Sequence, residues 1–155
     1  MFGGDCVDWA KMKEDIYCED GSLLDIATYD NMTLEKWELL CGFLQENYDL
    51  SLFCNGVKVE DKFDRGSIEK MLLYNGNDAY IASFSMCKID FNLFLCWGYH
   101  DLIFDFPPEQ VDSLEKHFAI IDFMTQLANL LRISIKLITG MSPDRYWLKV
   151  DPATG

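Results

Sequence analysis

The chain has 155 residues and a formal net charge of −13, from 26 Asp and Glu against 13 Lys and Arg. A surface this acidic repels nucleic acid and anionic membranes and attracts basic partners, so neither a nucleic-acid nor a membrane partner is expected. No apolar stretch approaches the ~20 residues of a transmembrane helix, and residues 1–5 lack the basic and apolar regions of a signal peptide. Acidity alone is most often a means of staying soluble. We expect a cytoplasmic protein.

Length and composition predict one folded domain that spans residues 1–155. Half of the residues are apolar, which is enough for a packed core, and no Pro-, Gly- or Ser-rich linker divides the chain. The six cysteines form no Cys-x-x-Cys pair, so neither a zinc ribbon nor a thioredoxin-like motif is indicated. Most of the cysteines have apolar neighbours, and we expect them to be reduced thiols in a cytosolic protein.

The first third of the chain predicts a short helix, a strand and an amphipathic helix. The apolar residues from Trp9 to Ile16 lie at helical spacing, and residues 23–29 follow a Gly-Ser turn as a strand. Thr33 is well placed as the N-cap of a helix over residues 34–46. One face of that helix is apolar: Leu34, Trp37, Leu40, Cys41 and Leu44.

The middle of the chain predicts mostly strands. Residues 48–54 have the pattern of a strand, and Asn55-Gly56 is a strong hairpin signal that returns the chain over residues 57–59. Residues 67–74 predict a short helix. Three apolar-aromatic runs then predict an antiparallel meander: 79–84, 88–97 and 102–106.

Pro107-Pro108 predicts the end of the last of these strands and the start of a long helix, because proline suits a first helical turn. The apolar stripe of that helix is broad: Val111, Leu114, Phe118, Ile121, Met124, Leu127, Ala128 and Leu131, widened by Ile120, Phe123 and Leu130. Residues 134–139 and 146–150 predict two further strands. Since strands mostly follow strands, we predict an α+β fold, with a mostly antiparallel sheet packed against two main helices.

Residues that could carry catalysis are few. Only two histidines are present, and Cys96 and His100 would lie ~13 Å apart along one strand. His117 lies beside the apolar stripe of its helix, which is more typical of a packed histidine with one satisfied nitrogen. The acids from Asp101 to Asp112 lack EF-hand spacing, and no Gly-rich phosphate loop is present. We therefore expect no catalytic residues, no metal and no cofactor.

The stretch from Ile89 to Glu115 contains six acids and no Lys or Arg, and it predicts the partner-binding surface. Asp101 and Asp105 are four residues apart on a predicted strand, so they should project from the same face. The two acids after Pro108 should lie in the first turn of the following helix, and the aromatic pair before Asp101 should supply an anchor. The alternative surface is residues 14–35. The predicted partner-binding residues are Asp90, Trp97, Tyr99, Asp101, Asp105, Glu109 and Asp112.

Two stretches carry a family resemblance. The first is Asp-Ile-Tyr-Cys-Glu-Asp-Gly-Ser-Leu-Leu-Asp-Ile over residues 15–26, followed by a helix that contains Trp37. The second is Ile-Phe-Asp-Phe-Pro-Pro-Glu-Gln over residues 103–110, followed by Phe123-Met124 in the long helix and a final strand. In these features the chain resembles small cytoplasmic immunity proteins encoded beside bacterial polymorphic toxins. The resemblance implies a stoichiometric toxin inhibitor rather than an enzyme.

The leading hypothesis is an immunity protein that binds one cognate toxin and occludes its active site. The toxin would be basic, because an acidic inhibitor associates fastest with a basic site. Two alternatives stay open at the level of sequence. One is another acidic interaction module, such as a nucleic-acid mimic that blocks a DNA-binding protein. The other is a small enzyme that uses an unrecognised carboxylate or Cys–His site. A toxin reading frame immediately upstream would favour the first hypothesis.

Overall fold

The computed structural model describes residues 8–18, 22–60, 65–73, 78–95, 99–139 and 145–154. Within them the fold is α+β, as predicted. The helices are α1 (Trp9–Asp15), α2 (Leu34–Asn47), α3 (Arg65–Leu73) and α4 (Leu114–Leu131). The strands are β1 (Leu24–Thr28), β2 (Ser51–Cys54), β3 (Val57–Val59), β4 (Tyr80–Met86), β5 (Ile89–Phe94), β6 (Leu102–Phe106), β7 (Ile135–Thr139) and β8 (Tyr146–Val150).

The eight strands form one sheet in the order β3-β2-β4-β5-β6-β1-β7-β8. All neighbouring strands are antiparallel, and β4, β5 and β6 form the predicted meander. The first strand of the chain, β1, lies in the interior of the sheet between β6 and β7. The sheet is therefore completed by pairing residues that are far apart in the sequence.

Local signals account for the ends of several elements. The side chain of Thr33 accepts a hydrogen bond from the backbone N–H of Lys36, which caps α2 as predicted. The turn between β2 and β3 places Asn55 at φ 51° and Gly56 at φ 84°. These positive φ values are the reason that an Asn-Gly pair favours a tight hairpin.

The long helix starts later than the sequence predicts. Pro108 lies in a single 3-10 turn (Pro108–Gln110), and α4 begins only at Leu114. Between the two, Val111 buries its side chain completely in a non-helical conformation. The hydroxyl of Ser113 then accepts from the N–H of Lys116, so this serine is the N-cap. A side-chain cap satisfies an otherwise unpaired donor, which proline cannot do.

All four helices contribute to one hydrophobic core, on one face of the sheet. Its centre is a set of aromatic rings around Phe123 of α4. The ring centroids of Phe91 and Phe104 are each 5.4 Å from that of Phe123, and that of Phe84 is at 6.0 Å. The alternate strand residues form the opposite face, which none of the described helices covers and which we call the helix-free face. There Ala27, Ile103 and Ile138 make a small separate cluster.

The buried face of α4 contains most of the predicted stripe, including Met124, Leu127 and Leu131, but it differs near the start of the helix. Phe118 was expected to be buried and is 46% exposed, whereas His117 is 3% exposed. The hydroxyl oxygen of Tyr17 and Nδ1 of His117 are 2.6 Å apart, so a hydrogen bond satisfies both buried groups. The expected packed histidine is thus present. Because the helix buries the face that contains His117, the neighbouring Phe118 points toward solvent.

This buried pair predicts a pH dependence of stability. Burial lowers the pKa of His117, while the unfolded chain keeps a histidine pKa of about 6.5. The unfolded state therefore takes up the proton first, and the stability is lost as the pH falls below about 6.5. We expect the free energy of unfolding, measured in urea, to fall between pH 7.5 and 5.5 by more in the wild type than in His117→Phe. An equal weakening in both proteins would contradict this assignment.

The cysteines in the described residues are free thiols: Cys18, Cys41, Cys54 and Cys87. Cys41 is 4% exposed, and burial, with a smaller effect from Glu38, raises the pKa of its thiol. Cys87 is exposed in the turn between β4 and β5. Because the thiolate is the reactive form, we expect iodoacetamide to label Cys87 in the native protein and Cys41 only after unfolding. Mass spectrometry of the labelled peptides measures this, and comparable native rates would contradict it.

Candidate functional site

A row of polar residues crosses the helix-free face at right angles to the strands. The strand register places Ser51, Ser83, Asn92, Asp105 and Asp25 side by side on β2, β4, β5, β6 and β1. The hydroxyl of Ser83 donates to Oδ1 of Asn92 over 2.7 Å, and Nδ2 of Asn92 donates to Oδ1 of Asp105 over 3.1 Å. We call these five residues the transverse row.

The row ends in two buried carboxylates that face each other. Asp25 and Asp105 are directly paired across β1 and β6, and their exposed fractions are 6% and 7%. Burial raises the pKa of Asp105, although the hydrogen bond from Asn92 partly opposes this. Like charges directly opposite on a sheet destabilise it. By the register, Lys136 of β7 is the diagonal neighbour of Asp25 on the same face, so a cation lies at this end of the row.

At its other end the row enters a groove with a volume of about 390 Å³. We call this the acidic groove. Asp49 and Asp90 supply its charge, and none of the described residues that line it is basic. On this face the lining residues are Asp49, Ser51, Phe53, Ser83, Ser85, Asp90 and Asn92. Such a groove presents two carboxylates and several hydroxyls to an approaching cationic side chain.

Hydrogen bonds hold Asp90 in place within the acidic groove. Its carboxylate accepts from the hydroxyl of Ser85 over 2.6 Å and from Nε2 of Gln110 over 3.0 Å. These bonds, that from Ser85 first, lower the pKa of Asp90 and keep it ionised. Its backbone N–H donates in turn to the side chain of Gln110. The carboxylate is exposed, charged and fixed, which are the properties needed to attract and orient a cation.

Tyr29 follows β1 and packs against the small cluster of the helix-free face. Its hydroxyl is buried and has no hydrogen-bond partner within the described part of the chain. Burial, together with the charges of Asp25 and Asp101, raises the pKa of Tyr29 and keeps it protonated. An unsatisfied buried hydroxyl costs about 1–3 kcal/mol. The helix-free face therefore contains a donor without an acceptor, near its acids.

The structure separates the residues that the sequence grouped as one surface. Asp105 was expected to be exposed but is buried, because the face from which it projects is also covered at this point: its neighbours Asp25, Ala27 and Ile103 are buried as well. Asp101 precedes β6 rather than belonging to it, and its Oδ1 accepts from the backbone N–H of Asp30 over 2.9 Å. The prediction that Asp101 and Asp105 form an exposed pair is therefore wrong for Asp105. Of the predicted set, Asp90 lies in the acidic groove.

The remaining predicted residues lie elsewhere. Glu109 is exposed in the 3-10 turn, and Asp112 precedes α4 and pairs with Lys116 at 3.1 Å. The expected position in a first α-helical turn is wrong for both, because α4 starts at Leu114. Tyr99 is partly buried against the main core, and its carbonyl accepts from Nε1 of Trp37 over 2.7 Å. Trp97 lies outside the described residues.

Potential catalytic groups are also dispersed. His100 is exposed beside the ring of Tyr99, with centroids 4.1 Å apart, and Cys96 lies outside the described residues. His117 is held in the core by Tyr17. Over the described ranges, no three His, Cys, Asp or Glu side chains are grouped as a metal site requires.

Sequence reasoning missed most of the transverse row. Alternation along residues 88–97 predicts that Asp90 and Asn92 lie on the polar side of their strand, but it does not predict their partners. The missing information was that β1 inserts between β6 and β7, which brings Asp25 beside Asp105. The one available signal was Asp25 itself, a carboxylate within an otherwise apolar strand.

Comparisons with family models, curated proteins and solved structures find no match to this chain. Among the described residues, no helix combines the length and the apolar character that crossing a bilayer requires. Function therefore has to be inferred from the chemistry of the site.

Proposed function

We propose that this protein is an immunity protein that binds a cognate bacterial toxin and occludes the toxin's active site. The observation that carries the proposal is the acidic groove on the helix-free face, where Asp49 and Asp90 stand among hydroxyl groups without a described basic neighbour. The resemblance of residues 15–26 and 103–110 to immunity proteins supports the same role. The proposed setting is competition between bacteria, with the inhibitor acting in the cytoplasm.

Electrostatics favours this role for an acidic protein. Toxins that act on anionic substrates such as nucleic acids carry basic active sites. An inhibitor of charge −13 is steered toward such a site, and its carboxylates compete with the substrate for the same cations. A fixed carboxylate such as Asp90 loses little conformational freedom on binding, so more of the interaction energy remains as affinity.

The helix-free face also offers apolar contact beside its charges. The next row of the sheet places Phe53, Ile81 and Phe94 side by side on β2, β4 and β5, each partly exposed. An apolar patch bordered by polar residues is the usual composition of a protein interface. We therefore place the toxin on the helix-free face, over the acidic groove and this apolar row.

Co-expression tests the proposal directly. The reading frame adjacent to this gene is expressed in a sensitive bacterium, alone and together with this protein. We expect death in the first case, and survival and a co-purifying 1:1 complex in the second. Death in both, with no complex between the folded proteins, would overturn the proposal. A complex with DNA-binding proteins of the host instead would favour a nucleic-acid mimic.

A further inference from the structure

A second cavity in the described part of the chain lies away from the acidic groove and shares no lining residue with it. Its volume is about 670 Å³, and it is formed where α1, the start of β1, the end of β7 and the start of β8 meet. Ile16, Leu24 and Pro108 provide its apolar lining. A volume of 300–1,000 Å³ with an apolar lining and a few polar groups is typical of small-molecule sites.

Two half-exposed aromatic side chains form one wall of this cavity. Tyr146 and Trp147, at the start of β8, are 49% and 45% exposed. Nε1 of Trp147 donates to the hydroxyl of Thr139 over 2.8 Å, so the indole is held in one orientation. A fixed and exposed aromatic face is a surface against which a flat apolar group can pack.

One cation and one anion line the same cavity without neutralising each other. Arg145 and Asp15 are both exposed. Neither forms an ion pair with any residue that the structure describes. A guanidinium favours a carboxylate as its partner, and a carboxylate favours an ammonium. A ligand that carries both groups offers a partner to each of these two side chains.

We propose that this cavity binds a small zwitterion with a flat apolar side chain, of the size of an aromatic α-amino acid. The ligand's carboxylate pairs with Arg145, its ammonium pairs with Asp15, and its side chain packs between Trp147 and the apolar lining. A phosphate dianion fits less well, because Asp15 repels the second negative charge. This site is separate from the acidic groove and does not depend on the proposed toxin inhibition.

The test uses three probes and isothermal titration calorimetry on the full chain. L-Tryptophan carries both charges, indole-3-propionate carries only the carboxylate, and tryptamine carries only the ammonium. We expect L-tryptophan to bind more tightly than either analogue. Arg145→Gln should weaken the binding of L-tryptophan and of indole-3-propionate about tenfold, since one charge-assisted hydrogen bond is lost. The affinity for tryptamine should not change.

Asp15→Asn should have the converse effect: it should weaken the binding of tryptamine and tighten the binding of indole-3-propionate. Neither substitution should impair folding, because both side chains are exposed. Lys149→Gln is the matched control: Lys149 is exposed on β8 but does not line the cavity. The absence of saturable binding of L-tryptophan would overturn the proposal. So would a variant that weakens all three probes equally, because the charges would then not select the ligand.

Discussion

Replacing Phe123 by alanine should lower the free energy of unfolding by about 3–5 kcal/mol, the range for a fully buried phenylalanine. Phe123 is 1% exposed and is surrounded by rings from α4's partners: Tyr48, Phe84, Phe91 and Phe104. Removing it leaves a cavity that these rings cannot fill without losing contact with each other. Urea unfolding followed by circular dichroism measures the loss.

Phe118→Ala is the matched control on the same helix. Phe118 is 46% exposed, so its truncation should change the stability by no more than about 0.5 kcal/mol. Similar losses from the two substitutions would mean that Phe118 is packed as tightly as Phe123, which would contradict the observed orientation of α4.

The second large effect concerns association with the toxin. Asp49→Lys with Asp90→Lys reverses both charges of the acidic groove, and both side chains are exposed. We expect association at low salt to slow by about tenfold or more, and its dependence on salt to weaken. Stopped-flow measurement with the purified toxin gives both quantities.

A control with the same change in net charge separates the groove from the overall charge. Glu46→Lys with Asp122→Lys reverses two exposed acids on α2 and α4. This variant should slow association much less than the groove variant. Equal slowing would show that only total charge matters. If neither variant associates more slowly than the wild type, electrostatic attraction does not control the association rate. Asp105 is left unchanged, because a buried lysine at that position would disturb folding.

Sequence patterns predicted those features that depend on neighbouring residues. The cap at Thr33, the apolar face of α2 and the Asn55-Gly56 hairpin each depend on a few adjacent side chains, and all three are confirmed. The start of α4 was misplaced because a proline signal competed with the cap at Ser113. Val111, between the proline and this cap, is buried in a non-helical conformation. Such burial depends on tertiary contacts, which the local sequence does not show.

The candidate site was predictable only in part, for a related reason. Alternation along β6 correctly separates Asp105 from its core-facing neighbours Phe104 and Phe106. It does not reveal that the opposite face is also covered at this point, because that burial depends on residues that are distant in the sequence. Asp90 was predicted correctly as a surface residue because its side chain is exposed, as expected for a charged residue on the polar side of a strand.

The interior position of β1 has a consequence for the order in which the molecule can assemble. β1 emerges from the ribosome early, but its partners β6 and β7 begin only at Leu102 and Ile135. During synthesis the meander and the β7–β8 hairpin can form by local pairing, while β1 must close a long loop before it pairs with either β6 or β7. Contacts this distant in sequence slow folding. The insertion of β1 between β6 and β7 should therefore be completed only after β7 has been synthesised.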